Sequence, residues 1–321
     1  MKIIKGLDFK IENSAVSLGK FDGFHRGHRL LLDRILEPPK LYATVFTFDG
    51  ILNGKQIYLE EEKRSLLERL GVEREVLFPF SEKTRSMTPE TFIREMLVER
   101  MDAKLICVGE DFHFGKDRRG DVDMLSKYAP QYGYELCVFP KIKEDGEVIS
   151  STRIRGELAQ GRIEKANRLL GDPYFVRGEV VHGNALGRTI GMPTANLLPG
   201  EQKLLPAYGV YATRVEADGK VYGGVTNVGV KPTIGADRAN VETTLLHFDG
   251  DLYGKQITVY FLEFLPGFYP ILFVGTTIIA LIYFFIGGVV RLGYIDFNLA
   301  LLDRRKNGIF RLVGRMSDWW R

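Results

Sequence analysis

The sequence predicts an α/β chain in three parts: a parallel sheet covered by helices, a small antiparallel β-barrel, and an apolar segment with a basic tail. Three observations predict it. Strand-like and helix-like runs alternate over the first 170 residues, which argues for a parallel sheet with helices on both faces. From Phe175 the pattern changes to short β runs at turn spacing, as in small antiparallel barrels. From Pro266 to Val290 no charged residue occurs.

In the first part, Ala15–Leu18 reads as a buried strand, and Arg29–Leu36 as a helix with apolar residues at helical spacing. Leu41–Phe48 is a β-branched and aromatic strand. Glu60–Leu70 is a helix stopped by Gly71, and Glu75–Phe80 a strand. Thr88-Pro89-Glu90 opens a helix with a capping hydroxyl and a proline at the first position. Lys104–Val108 and Glu135–Phe139 are further strands, and Thr152–Gln160 a helix. Ala166–Gly171 ends a helical stretch, and Asp172-Pro173-Tyr174 is a natural linker. Beyond it Val176–His182, Gly209–Glu216, Val221–Val228, Thr243–Phe248 and Gln256–Phe264 read as strands.

Composition narrows the function. The net charge of +3 in 321 residues carries no nucleic-acid footprint. The two cysteines, Cys107 and Cys137, each lie in an apolar strand-like run and read as buried free thiols of a reducing compartment. No cysteine and histidine spacing suggests zinc, and Met1–Lys5 lacks the apolar core of a signal peptide.

The chemistry concentrates in Leu18-Gly19-Lys20-Phe21-Asp22-Gly23-Phe24-His25-Arg26-Gly27-His28, between the first buried strand and its helix. A glycine-rich turn there lets backbone N–H groups approach an anion at a helix N-terminus. His25 and His28 can donate hydrogen bonds to phosphate oxygens as charge develops. The motif resembles the His-x-Gly-His signature of the nucleotidyltransferase superfamily. The preceding Gly-Lys-Phe-Asp-Gly narrows the resemblance to the bacterial bifunctional riboflavin kinase/FMN adenylyltransferases, over about residues 1–265. It implies a Rossmann-like nucleotidyltransferase domain at 1–171 and a riboflavin kinase-like barrel at 175–265.

The resemblance also implies roles. Gly19, Asp22, Gly23 and Gly27 would approach ATP. Val108-Gly109-Glu110-Asp111-Phe112-His113-Phe114-Gly115 is similar to the family's loop beside nucleotide and flavin, so Asp111, Phe112 and Phe114 would touch flavin; a turn role for Asp111 and a core role for the two rings stay open. Ser150-Ser151-Thr152-Arg153-Ile154-Arg155 matches a motif used on ATP phosphates, with Ser151, Thr152, Arg153 and Arg155 as the contacts; helix capping is the alternative. One departure is Asp49-Gly50, where many relatives carry Pro-His-Pro. In the second domain, Gly187-Arg188-Thr189-Ile190-Gly191-Met192-Pro193-Thr194-Ala195-Asn196 resembles the riboflavin kinase signature. Gly183, Gly187, Arg188 and Gly191 would bind ATP, Thr194 and Asn196 would ligate Mg²⁺ through hard oxygens, Asn227 would touch flavin, and Glu242 would be the general base.

The implied activity is FAD biosynthesis, with ATP and flavins as substrates and products, Mg²⁺ as cofactor and the catalytic domains in the cytoplasm. Two alternatives stay open: an FMN adenylyltransferase whose kinase half is inactive, and a membrane-tethered flavin- or nucleotide-binding module without turnover. The resemblance stops after Phe264-Leu265, where relatives continue with a charged amphipathic helix. Here Ile271–Val290 is long and apolar enough to span a bilayer, and Arg291–Arg321 forms a basic tail. The expectation is membrane association through 271–290.

Overall fold

The computed structural model describes residues 1–49, 54–181, 194–230 and 239–266. They form two compact units, Met1–Gln160 with Lys165–Asp172 and Gly200–Leu205, and Gly161–Glu164 with Pro173–Pro199 and the chain from Pro206 on. Residues 200–205 thus group with the first unit although they follow the linker expected at 172–174.

The first unit holds six parallel strands: β1 (Lys2–Lys5), β2 (Ser14–Leu18), β3 (Tyr42–Asp49), β4 (Arg74–Pro79), β5 (Ala103–Gly109) and β6 (Glu135–Phe139). Their order is β1-β4-β3-β2-β5-β6. β2 is buried at all five positions, as befits a central parallel strand covered on both faces. The core packs Val16, Phe46, Val76, Ile93, Ile106 and Leu125 together. The winding direction reverses between β2 and β5, so the crevice for a ligand lies at the carboxyl ends of these two strands.

Helix α1 (Arg26–Leu36) begins three residues earlier than its apolar periodicity suggests, because His25 caps it. α2 (Glu60–Leu70) ends on Gly71 in the left-handed region, as expected. Short helices α3 (Glu82–Arg85) and α4 (Pro89–Thr91) follow, the latter running into a π-helical stretch over Phe92–Arg100. Next come α5 (Val122–Tyr132), a hairpin of β7 (Lys143–Glu144) and β8 (Glu147–Val148), α6 (Ser151–Ala159) and α7 (Ile163–Leu170). Both cysteines are free thiols, but only Cys107 is buried; Cys137 is half-exposed because it lies on the outer strand β6, which corrects the expectation of two buried thiols.

In the second unit, β9 (Phe175–Val181), β10 (Thr194–Leu197), β11 (Gly209–Ala217), β12 (Lys220–Val230), β13 (Ala239–Leu245) and β14 (Gln256–Phe264) close a barrel in the order β10-β13-β12-β11-β14-β9. Tyr211 and Phe261 meet edge to face at 5.2 Å between ring centroids. Beside them the hydroxyls of Thr213, Thr226 and Thr243 join three strands through two 2.8 Å hydrogen bonds.

Among the described residues no helix is long and apolar enough to cross a membrane. The run 271–290 and the basic tail lie outside the described residues, as do Gly183, Gly187, Arg188 and Gly191.

Candidate active sites

The turn after β2 is built from backbone conformations that few residues adopt. Phe21 and Phe24 hold φ of 47° and 42°, and Gly23 holds 96°. Non-glycine residues in this region cost about 1–3 kcal/mol each and persist where surrounding packing over-determines them. Here Phe21 and Phe24 are buried and their rings stack at 5.7 Å. A Cβ on Gly23 would meet Ile57 Cδ1 at 2.9 Å, so glycine is required there by space as well as by φ.

The turn delivers His25 and His28 to one place. The His28 backbone N–H donates to His25 Nδ1 at 3.4 Å, and the two rings stack with centroids 3.8 Å apart. A Cβ on Gly27 would lie 3.2 Å from the His25 ring, so the glycine between them leaves room for that ring. Burial pushes His25 down to about 4, against a hydrogen bond from its ring to its own backbone carbonyl that raises it. Burial, then repulsion from His25, holds His28 well below the usual histidine range. Both are therefore neutral donors at neutral pH. The His28 Nδ1 is buried and, among the described residues, has no hydrogen-bond partner. An unsatisfied buried polar atom costs free energy and marks a place where a ligand atom fits.

Asp22 is not open to a nucleotide. It is 3% exposed; Ile57 N–H donates to its Oδ1 at 3.1 Å, and the Arg155 guanidinium pairs with its Oδ2. Burial pushes its carboxyl above the usual range, opposed by Arg155, the Ile57 N–H, Lys63 and Lys203. Ser151 Oγ donates to the Asp22 carbonyl at 2.5 Å. Helix α6 is capped by Ser150, whose hydroxyl accepts from Arg153 N–H at 3.2 Å, leaving Thr152 exposed in the first turn. The Arg153 guanidinium donates to the carbonyls of Glu144 and Glu147 at 2.9 and 3.0 Å. Thus Asp22 and Arg153 are engaged by protein partners, and Arg155 reaches the turn through Asp22.

After β5, Asp111 is exposed and pairs with Lys141 at 2.9 Å. Phe114 belongs to the core, where it packs on Phe92; Phe112 stacks on Phe114 at 5.7 Å and is only half-buried. Of the two rings, only Phe112 is partly exposed.

In the barrel, register assembles the second site. Asn196 pairs with Glu242 across β10 and β13, and Asn227 pairs with Glu242 across β12 and β13. Thr194 Oγ1 donates to Glu242 Oε1 at 2.9 Å, and Asn240 Nδ2 donates to Asn196 Oδ1 at 3.2 Å. Asn227 is 1% exposed, and among the described residues neither of its amide atoms has a partner. Thr194 and Asn196 line a cavity together with Leu252 and Tyr253. Sequence reasoning missed Asn240, because an asparagine ahead of a strand reads as a turn residue.

Two family models match the chain: FAD synthetase over residues 9–153 and riboflavin kinase over residues 170–267. The bifunctional riboflavin kinase/FMN adenylyltransferase of Escherichia coli (strain K12) is 36% identical over 281 residues, covering 81% of this chain and 88% of the relative. The chain belongs to the bifunctional riboflavin kinase/FMN adenylyltransferase family. The enzyme of that name from Pseudomonas fluorescens is 35% identical with the same coverage. Among solved structures, one titled a macrolide-efflux protein from Streptococcus pneumoniae matches with a TM-score of 0.76 and 32% identity, covering 88% of this chain and 96% of the other. The family boundary at 170 falls before residues 200–205, which the structure groups with the first unit.

Proposed function

We propose that this chain makes FAD from riboflavin in two ATP-dependent steps, one in each unit. The observation that carries the reading is the pairing of two donor sets in two family regions: stacked neutral His25 and His28 at the start of α1, and Thr194, Asn196 and Asn227 gathered around Glu242 in the barrel.

In the barrel, the riboflavin 5′-hydroxyl attacks the γ-phosphorus of ATP, and Glu242 takes the hydroxyl proton. The Thr194 hydroxyl holds the Glu242 carboxylate in place at 2.9 Å. The Asn227 amide, buried and with both atoms available, suits the polar atoms of a flavin. Thr194 and Asn196 offer neutral hard oxygens fit for Mg²⁺. Mg²⁺ held there would neutralise charge on the phosphates.

In the first unit, an FMN phosphate oxygen attacks the α-phosphorus of a second ATP and pyrophosphate leaves. His25 and His28 donate to the phosphate oxygens that gain charge, and the first N–H groups of α1 face the same anion. Ser151 and Arg155 bond to the same turn through Asp22, Thr152 lies exposed between them on α6, and Phe112 offers its face to a flavin ring. No covalent bond to the enzyme is required; positioning and charge stabilisation suffice.

ATP use assigns the catalytic units to the cytoplasm, with the apolar run 271–290 as a membrane anchor. The charge-free stretch Pro266–Val290, where the family resemblance implies a charged helix, favours a second reading in which only adenylylation persists. Product analysis tests both. Incubation with ATP, Mg²⁺ and riboflavin should yield FMN and then FAD, and incubation with FMN should yield FAD. FAD from FMN but no FMN from riboflavin selects the second reading; neither product overturns both.

A further inference from the structure

Lys203 is the most unusual charge among the described residues of the first unit. Its side chain has no solvent exposure. Its ammonium donates to the Ile57 carbonyl at 2.7 Å and to Glu62 Oε2 at 2.6 Å, and it lies 4.8 Å from the centre of the Tyr58 ring. The backbone around it is paired as well. Gln56 N–H donates to the Gln202 carbonyl at 2.6 Å, Leu204 N–H to the Gln56 carbonyl at 2.8 Å, and the Gln56 and Gln202 side chains join at 3.2 Å. A lysine is almost never fully buried unless paired, and Lys203 carries a strong burial penalty for its charge.

The partners of Lys203 lead to the turn that carries the histidines. The peptide unit it holds belongs to Ile57, whose N–H holds Asp22 and whose side chain presses on Gly23. Glu62, on its other side, accepts the Leu59 N–H at 2.8 Å and so fixes the start of α2. Asp22 in turn holds Arg155. Every link is a single residue or a direct hydrogen bond.

We propose that Lys203 is a positioning residue for adenylyl transfer: from the segment 200–205 it fixes residues 57–62, and through Ile57 it fixes Asp22 and the turn presenting His25 and His28. The role rests on the functional reading above and adds to it a residue from beyond the chain that the FAD synthetase model matches. It implies that a fragment ending near residue 170 lacks a part of its own nucleotide site.

The charged groups that face Asp22 are Arg155 from α6, Lys63 from α2 and Lys203; the Ile57 N–H and the Ser151 hydroxyl bond to the residue itself. All three cations favour its carboxylate, so removal of Lys203 raises the pH at which Asp22 protonates.

The test uses the full chain with the paired substitution Lys203→Met and Glu62→Gln. Met keeps the volume, and Gln still accepts the Leu59 N–H while leaving no buried unpaired carboxylate, so fold and melting temperature should hold. The expected result is a drop of about tenfold or more in FAD formation from FMN, as misplacement of a catalytic group produces. Histidine NMR should show the His25 titration rising from about 4 toward 6.5. A variant with wild-type adenylylation and an unmoved His25 titration overturns the proposal. If the wild-type chain forms no FAD, the functional reading fails separately, and the His25 titration still decides the role of Lys203.

Discussion

The two units place their chemistry by opposite means. In the first, the donors are three residues apart on one turn, and strained φ angles at Phe21 and Phe24 with a crowded Gly23 determine where they point. In the barrel, Thr194, Asn196, Asn227 and Glu242 come from three strands, and only cross-strand register brings them together. A turn motif is contiguous, so its residue types report its chemistry directly. A register-built site is scattered, so its members become a site only once pairing is known.

This contrast can be broken by substitutions that separate the two activities. The largest effect is expected at Glu242. Glu242→Gln should lower FMN formation from riboflavin by about 10²–10⁴ and leave FAD formation from FMN intact; a fall in both would show that Glu242 supports the fold and not a separate site. His28→Ala should do the reverse, lowering FAD formation by about 10²–10³ while FMN formation persists. Steady-state assays with each flavin supplied in turn resolve the pair.

A smaller effect sharpens the contrast through pH. His25 titrates at about 4 in the folded chain and near 6.5 when unfolded. Between these values the unfolded chain binds a proton at His25 that the folded chain refuses, so this group's contribution to stability falls as pH drops from 6.5 toward 4 and levels off below. The loss is on the order of 3 kcal/mol for this one group. Urea unfolding across that window should show it, and His25→Asn, which keeps a cap acceptor at the same position, should lessen the slope and leave the part that buried His28 contributes. An unchanged slope would mean that His25 is not held neutral by the fold.

Much of the architecture was legible in the sequence. Apolar runs bounded by glycine and proline located nearly every strand of the sheet and five of the barrel strands. β1 was missed because Lys2-Ile3-Ile4-Lys5 is short and half charged, as an outer strand permits. β10 was missed because Thr194–Leu197 reads as a signature before it reads as a strand. The histidine pair was legible since its spacing and its helix are local. The partners of charged groups were not: nothing in the string Ser-Thr-Arg-Ile-Arg tells that Arg153 serves the 143–148 hairpin or that Arg155 serves Asp22. Lys203 was invisible for the same reason, because a lysine in a loop is ordinarily solvated.

The sheet and the barrel also differ in what they offer to other chains. Among the described residues, the closed barrel leaves no strand with a free row of N–H and C=O groups for a misfolded neighbour to extend. The open sheet has two outer strands. β1 is four residues long with Lys2 and Lys5 exposed at its ends, features that blunt pairing with a foreign strand. β6 is longer and shows Val138 to solvent at 41% exposure, with Glu135 and its partner Arg34 guarding only its first residue. When this protein is crowded or partly unfolded, intermolecular strand addition should therefore begin at β6, and a charge at position 138 is the change that should keep it soluble.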